Sequence, residues 1–150
     1  MAISVRNYTT SIPVRQTVGE VMDCLAQHGA DQVMLRYDGN RQPAGISFSI
    51  ATADGRAGYH LPVNVDAVLK RLQQHKATNV KLSHPTREQA GRVAWRTIQD
   101  WLEAQLELIS NGLVSLDEVM LPFRLVDGNG TTVYAALKSG MLALPEGGDR

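Results

Sequence analysis

Apolar residues recur along this chain with two different periods. Between residues 18 and 28 the period is helical, with Val18, Val21, Met22 and Leu25 on one face. Thr17 and Glu20 stand three apart as a capping-box pair, and Gly29 supplies a stop, so a helix is expected over about 18–28. From residue 32 the period drops to two. Val33, Leu35 and Tyr37 share one face of a strand over Gln32–Tyr37, and Ala44, Ile46, Phe48 and Ile50 alternate with Gly45, Ser47 and Ser49. Tyr59, Leu61 and Val63 continue the alternation. Asp38-Gly39-Asn40 and Asp54-Gly55 offer the positive-φ turn chemistry of antiparallel hairpins. Ser4–Val14, with Tyr8, Thr9 and Thr10, reads as an extended lead-in and a candidate fourth strand. Only one face of this meander is strongly apolar, so helices should cover that face and leave the other wet.

The helical period returns at residue 65. Asn64 is placed to cap a helix over about 65–76 with Val65, Val68, Leu69 and Leu72 inward. Ala77–Pro85 breaks the pattern. Thr86-Arg87-Glu88-Gln89 is a second capping box opening a helix over about 87–110, roughly 36 Å long, which Asn111-Gly112 closes. Its expected buried stripe is Ala90, Val93, Ala94, Ile98, Trp101, Leu102, Gln105, Leu106 and Ile109. Ser115–Glu118 is a third capping box, starting one turn that Pro122 ends. Asp127-Gly128-Asn129-Gly130 reads as a turn, and Thr131–Lys138 as a strand or a short helix stopped by Gly140. Residues from about 145 to Arg150 read as a frayed tail. The pattern therefore predicts one α+β domain over 1–150: a small antiparallel sheet of three to four strands covered on one face by two to three helices.

Composition narrows the function classes. The 150 residues carry 15 Lys+Arg against 15 Asp+Glu, which excludes a histone-like basic protein and an acidic solvating tail. Ordinary apolar content, 43%, argues against disorder as the dominant state. A single cysteine, Cys24, excludes an internal disulfide framework and a Cys-rich zinc or iron–sulfur site. Neither a membrane-crossing apolar run nor a signal peptide is visible, so a cytoplasmic protein is expected.

The zero net charge hides an asymmetry. Residues 66–97 sum to +5 and residues 98–127 to −5. The long helix thus begins basic and ends acidic, against the preference of its own macrodipole. Arg71, Lys76, Lys81, Arg87, Arg92 and Arg96 form the candidate nucleic-acid-binding set, with His84 in the loop before the helix, where free N–H groups favour anions. Trp95 lies beside the core stripe, as a core or partner contact or as a platform for a base.

Catalytic patterns are missing. His28, His60, His75 and His84 show no zinc-ligand spacing, and Cys24 and His28, though on one helix face, fit a buried structural thiol better than a nucleophile pair. Asp31, Asp38 and Asp54 fall at strand ends or turns, where local turn chemistry explains them. Neither a phosphate-binding glycine loop nor a serine-hydrolase elbow occurs. A non-enzymatic protein without a cofactor or metal is expected.

His28-Gly29-Ala30, Ala94-Trp95-Arg96 with Trp101–Gln105, and Leu121-Pro122-Phe123 lie within the stretches Tyr8–Ile50 and Val93–Leu137. Together these stretches resemble a small uncharacterised protein family of tailed bacteriophages and prophages, whose genes lie near those of replication and recombination. The resemblance covers about two-thirds of the chain. It implies a phage-related origin and a helper role near DNA transactions, with no activity to carry over residue by residue. The expected function is that of a phage accessory protein binding single-stranded DNA through the basic set. The alternative is a protein-interaction module, either an inhibitor of a host defence complex or a replisome-docking subunit. A homo-oligomer is expected, with a dimer favoured through the long helix, where Trp95, Trp101 and Leu108 widen the apolar face.

Overall fold

The structure, a computed structural model, describes residues 4–78 and 84–140. Its elements run α1 (Val14–Gln27), β1 (Ala30–Tyr37), β2 (Pro43–Thr52), β3 (Gly55–Pro62), α2 (Val65–Thr78), α3 (Arg87–Ser110), α4 (Leu116–Met120), a 3₁₀ turn (Leu121–Phe123) and α5 (Val133–Lys138). The three strands form one antiparallel sheet in the order β1-β2-β3, so the fold is α+β. The tail from about 145 lies outside the described residues.

The sheet follows its period-2 pattern. Phe48 pairs with Val33 on one side and Tyr59 on the other; Ile46 pairs likewise with Leu35 and Leu61. These side chains point to the helical layer, and Ile46, Phe48, Tyr59 and Leu61 are buried there. Ser47, Ser49 and His60 occupy the opposite, wet face. Tyr37 departs from expectation. A register shift between Arg36 and Tyr37 takes it off the inward face, and it is 60% exposed. The left-handed residue of the first hairpin is Arg41 (φ 59°) rather than Gly39 or Asn40. Asp38 organises that turn, its Oδ1 accepting from the backbone N–H groups of Asn40 and Gln42 at 2.8 and 3.0 Å.

Ser4–Val14 is not a strand. Its backbone N–H groups bond locally, from Tyr8 N–H to the Val5 carbonyl and from Thr10 N–H to the Asn7 carbonyl, with Asn7 left-handed at φ 63°. Asp100 of α3 pins this segment, accepting from Arg6 Nε at 2.9 Å and Asn7 Nδ2 at 3.0 Å. The first helix starts at Val14, and its N-cap is Pro13, four residues before Thr17. Thr17 is instead a fully buried interior residue.

The other caps form at the expected places. Asn64 Oδ1 accepts from Ala67 N–H at 3.0 Å, Thr86 Oγ1 from Gln89 N–H at 3.1 Å, and Ser115 and Glu118 make the reciprocal box in full. The Thr86 box is only half made, because the Gln89 side chain is used elsewhere. Along α3 the buried positions are Ala90, Gly91, Val93, Ala94, Trp95, Gln99, Leu102 and Leu106. The stripe therefore runs through Trp95 and Gln99, leaving Trp101 half-buried against Phe123 at a centroid distance of 5.7 Å. Trp95 is fully buried, and its indole N–H donates to the Pro43 carbonyl at 3.1 Å, so the helix is fastened to the start of β2. A base cannot reach it.

The last third of the chain closes the β3 edge. Leu125 N–H donates to the Gly58 carbonyl at 2.8 Å, and Tyr59 pairs with Arg124 as an isolated bridge. Of Thr131–Lys138, Val133–Lys138 is helix, capped by Thr132, which also bridges to Leu125, and ended near Gly140 (φ 81°).

Candidate nucleic-acid interface

The structure divides the six candidate cations. Arg87 lies between two carboxylates, paired with Asp66 of α2 and, at 3.2 Å, with Asp38 of the first hairpin turn. Asp66 first and Asp38 second hold its guanidinium more firmly protonated than usual. Arg96 reaches across to α1 and pairs with Glu20 at 2.7 Å. Glu20 also accepts from Gln16 and from the buried Gln99. Those amide bonds, with the Arg96 charge, hold its carboxyl below the usual range. The polarity of α3 against its dipole is thus used within the fold: Arg87, Arg96 and Asp100 each meet an opposite charge on another element. Arg71 lies apart, beside an apolar groove of about 290 Å³ between the Val5–Arg6 segment, α2 and α3. Lys81 lies outside the described residues.

Lys76 and Arg92 come together. They border a groove of about 490 Å³ between the end of α2, the start of α3 and the segment Tyr8–Ser11. His75 and His84 join the same lining, and Thr9, Thr10, Ser11 and Thr86 add hydroxyls. Leu72 gives it an apolar base, and the Tyr8 ring meets His75 edge-on at 5.2 Å. Gln89 builds the wall. Its Nε2 donates to the carbonyls of Tyr8 and Thr10, both at 2.9 Å, and its Oε1 accepts from Arg92 Nε at 2.8 Å. One amide therefore holds the polar segment against α3 and fixes the base of the Arg92 guanidinium. Arg92 also borders a second hollow of about 340 Å³, lined mainly by the apolar Pro13, Val14, Pro43, Val65 and Gly91, with Gln42 and Glu88. A cation between a polar groove and an apolar hollow fits a ligand carrying both phosphate and a flat apolar group.

Of the residues that sequence reasoning singled out, Lys76, His84 and Arg92 line this groove, and Tyr8–Ser11 and Gln89, which also line it, were not among them. The hydroxyl-rich run looked like strand, and Gln89 looked like a capping residue. No local pattern announces that its amide reaches back 81 positions to Tyr8.

His28 Nδ1 bonds the Cys24 carbonyl at 2.8 Å rather than its thiol, and burial raises the thiol pKa, which opposes nucleophile formation. Among the described residues no group of three or more His, Cys, Asp or Glu is placed to hold a metal ion, and no helix is long and apolar enough to cross a membrane. No protein-family model, curated protein or solved structure matches the chain.

Proposed function

We propose that this is a non-enzymatic accessory protein of phage origin that binds single-stranded nucleic acid in the groove between α2, α3 and Tyr8–Ser11. The observation that carries the reading is the convergence of Lys76 and Arg92, with His75, His84 and five hydroxyl-bearing side chains, on one open groove. Phosphate oxygens need cationic and hydroxyl donors, and this lining supplies both. The adjacent hollow at Pro13, Val14 and Pro43 offers an apolar surface to a base. A duplex presents phosphates on a convex cylinder. A recessed groove of this size suits a single strand, whose backbone bends to follow it. The resemblance to phage proteins near replication and recombination genes supports the same role.

Two clustered lysine and arginine charges give modest affinity with a clear salt dependence. The test is fluorescence anisotropy of a labelled oligothymidine at low ionic strength, with the duplex of the same length as comparison. Saturable binding of the single strand, weakened by salt, is expected. A flat titration at low salt overturns the proposal.

A further inference from the structure

We propose that two copies of this chain join through β1, antiparallel about a two-fold axis at Met34, fusing two three-stranded sheets into one of six strands. The two edges of the sheet differ. The β3 edge is occupied by Arg124–Leu125. The β1 edge is open: among the described residues, the backbone of Gln32–Arg36 pairs with β2 alone. The irregularities of β1 lie at its two ends, and the regular run between them, Gln32–Arg36, holds no lysine or proline, so its central backbone groups are left to pair with another strand.

The register of the pairing follows from irregularities already present. β1 shifts register between Ala30 and Gln32 and again between Arg36 and Tyr37, so its regular run is Gln32–Arg36, whose midpoint is Met34. Antiparallel pairing about that midpoint sets Met34 against Met34 of the second copy, Val33 against Leu35, and Gln32 against Arg36. Met34, 66% exposed, would gain an apolar neighbour on the wet face, while half-buried Val33 and Leu35 would complete each other on the helical side. Charge agrees with this register. Asp31 sits on the wet face, bound through Oδ1 to Arg56 at 2.6 Å and to Ser49 at 3.1 Å. Arg36 of the second copy would arrive beside it. A two-residue slip one way places Arg36 against Met34, and the other way sets Leu35 against Asp31. Neither is complementary. No groove-lining residue belongs to β1, so the inference stands independently of the nucleic-acid reading.

A five-residue ladder lies at the small end of stable interfaces, so the dimer should be concentration-dependent. Light scattering on nuclease-treated protein is expected to show a mass rising from 16.4 kDa towards twice that value with concentration. Met34→Lys sets two like charges on the axis and should hold the single-copy mass at an unchanged melting temperature. In a Cys24→Ser background, Met34→Cys should oxidise to a disulfide-linked dimer, because facing strand residues lie within disulfide reach, whereas Asp54→Cys in the hairpin turn should not. A single-copy mass at every concentration, a dimer that survives Met34→Lys, or crosslinking of Met34→Cys no faster than Asp54→Cys overturns the proposal.

Discussion

Arg92 donates its Nε–H to Oε1 of Gln89 at 2.8 Å, three residues earlier on the same helix. The Gln89 amide spends its donors on the Tyr8 and Thr10 carbonyls, so the groove wall and the groove cation share one support. Gln89→Leu keeps the size of the side chain and removes all three bonds. The carbonyls of Tyr8 and Thr10 lose a partly buried donor, at a cost of about 1–3 kcal/mol. Urea denaturation should report that loss, and hydrogen exchange should quicken at Tyr8, Thr10 and Ile12. Thr86→Ala removes only the helix cap, costs about 1 kcal/mol and should leave exchange at those amides near its wild-type rate.

The wet face of the sheet has its own close fit. His60 lies over Gly45 and shares a hydrogen bond with Ser47 Oγ at 2.8 Å. A Cβ on residue 45 would come to 2.9 Å from His60 Cε1 and 3.2 Å from the Leu61 carbonyl. Gly45→Ala is expected to destabilise by about 1–3 kcal/mol, as overpacking does. In the His60→Ala background the same substitution should cost less, because only the backbone contact remains. Chemical denaturation of the four proteins in this cycle measures the coupling.

Thr17 is an interior misfit. It is fully buried in α1, and among the described residues its hydroxyl has no hydrogen-bond partner. Thr17→Val replaces that hydroxyl with a methyl of similar shape and should stabilise by about 1 kcal/mol, read as a higher urea midpoint at unchanged slope.

These positions show what the sequence made legible. The bounds of α3 are written in Thr86 at one end and Asn111-Gly112 at the other, and the structure places the helix between them. The capping box at Thr17 has the same chemical form. It fails because Pro13, four residues earlier, has a fixed φ that starts a helix, and the apolar stripe then buries Thr17. Tyr37 was lost to a bulge, which one-residue alternation cannot foresee. The basic set was legible as a count but not as a surface. The acidic partner of Arg96 lies 76 positions away and those of Arg87 lie 21 and 49, distances over which the linear pattern carries no pairing information.

Acid should destabilise the protein in two stages. Burial and the nearby Arg36 charge lower the His60 pKa below its ordinary 6.5, so the unfolded chain takes up this proton first and stability falls as pH drops through and below 6.5. Glu20, Asp38, Asp100 and Asp127 are all held below their ordinary values of 4.5 and 3.8. Their contributions are present above those values and disappear as pH falls through the folded-state values. At the alkaline end Tyr59 is pushed up to about 12, by burial first and by Asp117 second. Its contribution is complete below pH 10 and is lost as pH rises from 10 towards 12. Cys24, raised from its ordinary 9.0 by burial, starts the alkaline loss earlier, so melting temperature against pH should hold a plateau between about pH 7 and 9. Tyr59→Phe should remove the Tyr59 share of the alkaline fall, and His60→Gln should flatten the first acid step.

The central claim is that Lys76 and Arg92 hold phosphate while Arg87 and Arg96 serve the fold. Its most direct measurement is the salt dependence of oligothymidine binding in two double variants, Lys76→Ala/Arg92→Ala and Arg87→Gln/Arg96→Gln. Each lost phosphate contact on a single strand lowers the slope of log K against log salt by about 0.7. The first variant should lose about 1.4 from that slope. The second should keep the wild-type slope and melt earlier. Equal slopes in the wild type and the Lys76→Ala/Arg92→Ala protein, or loss of slope confined to the Arg87→Gln/Arg96→Gln protein, would contradict it.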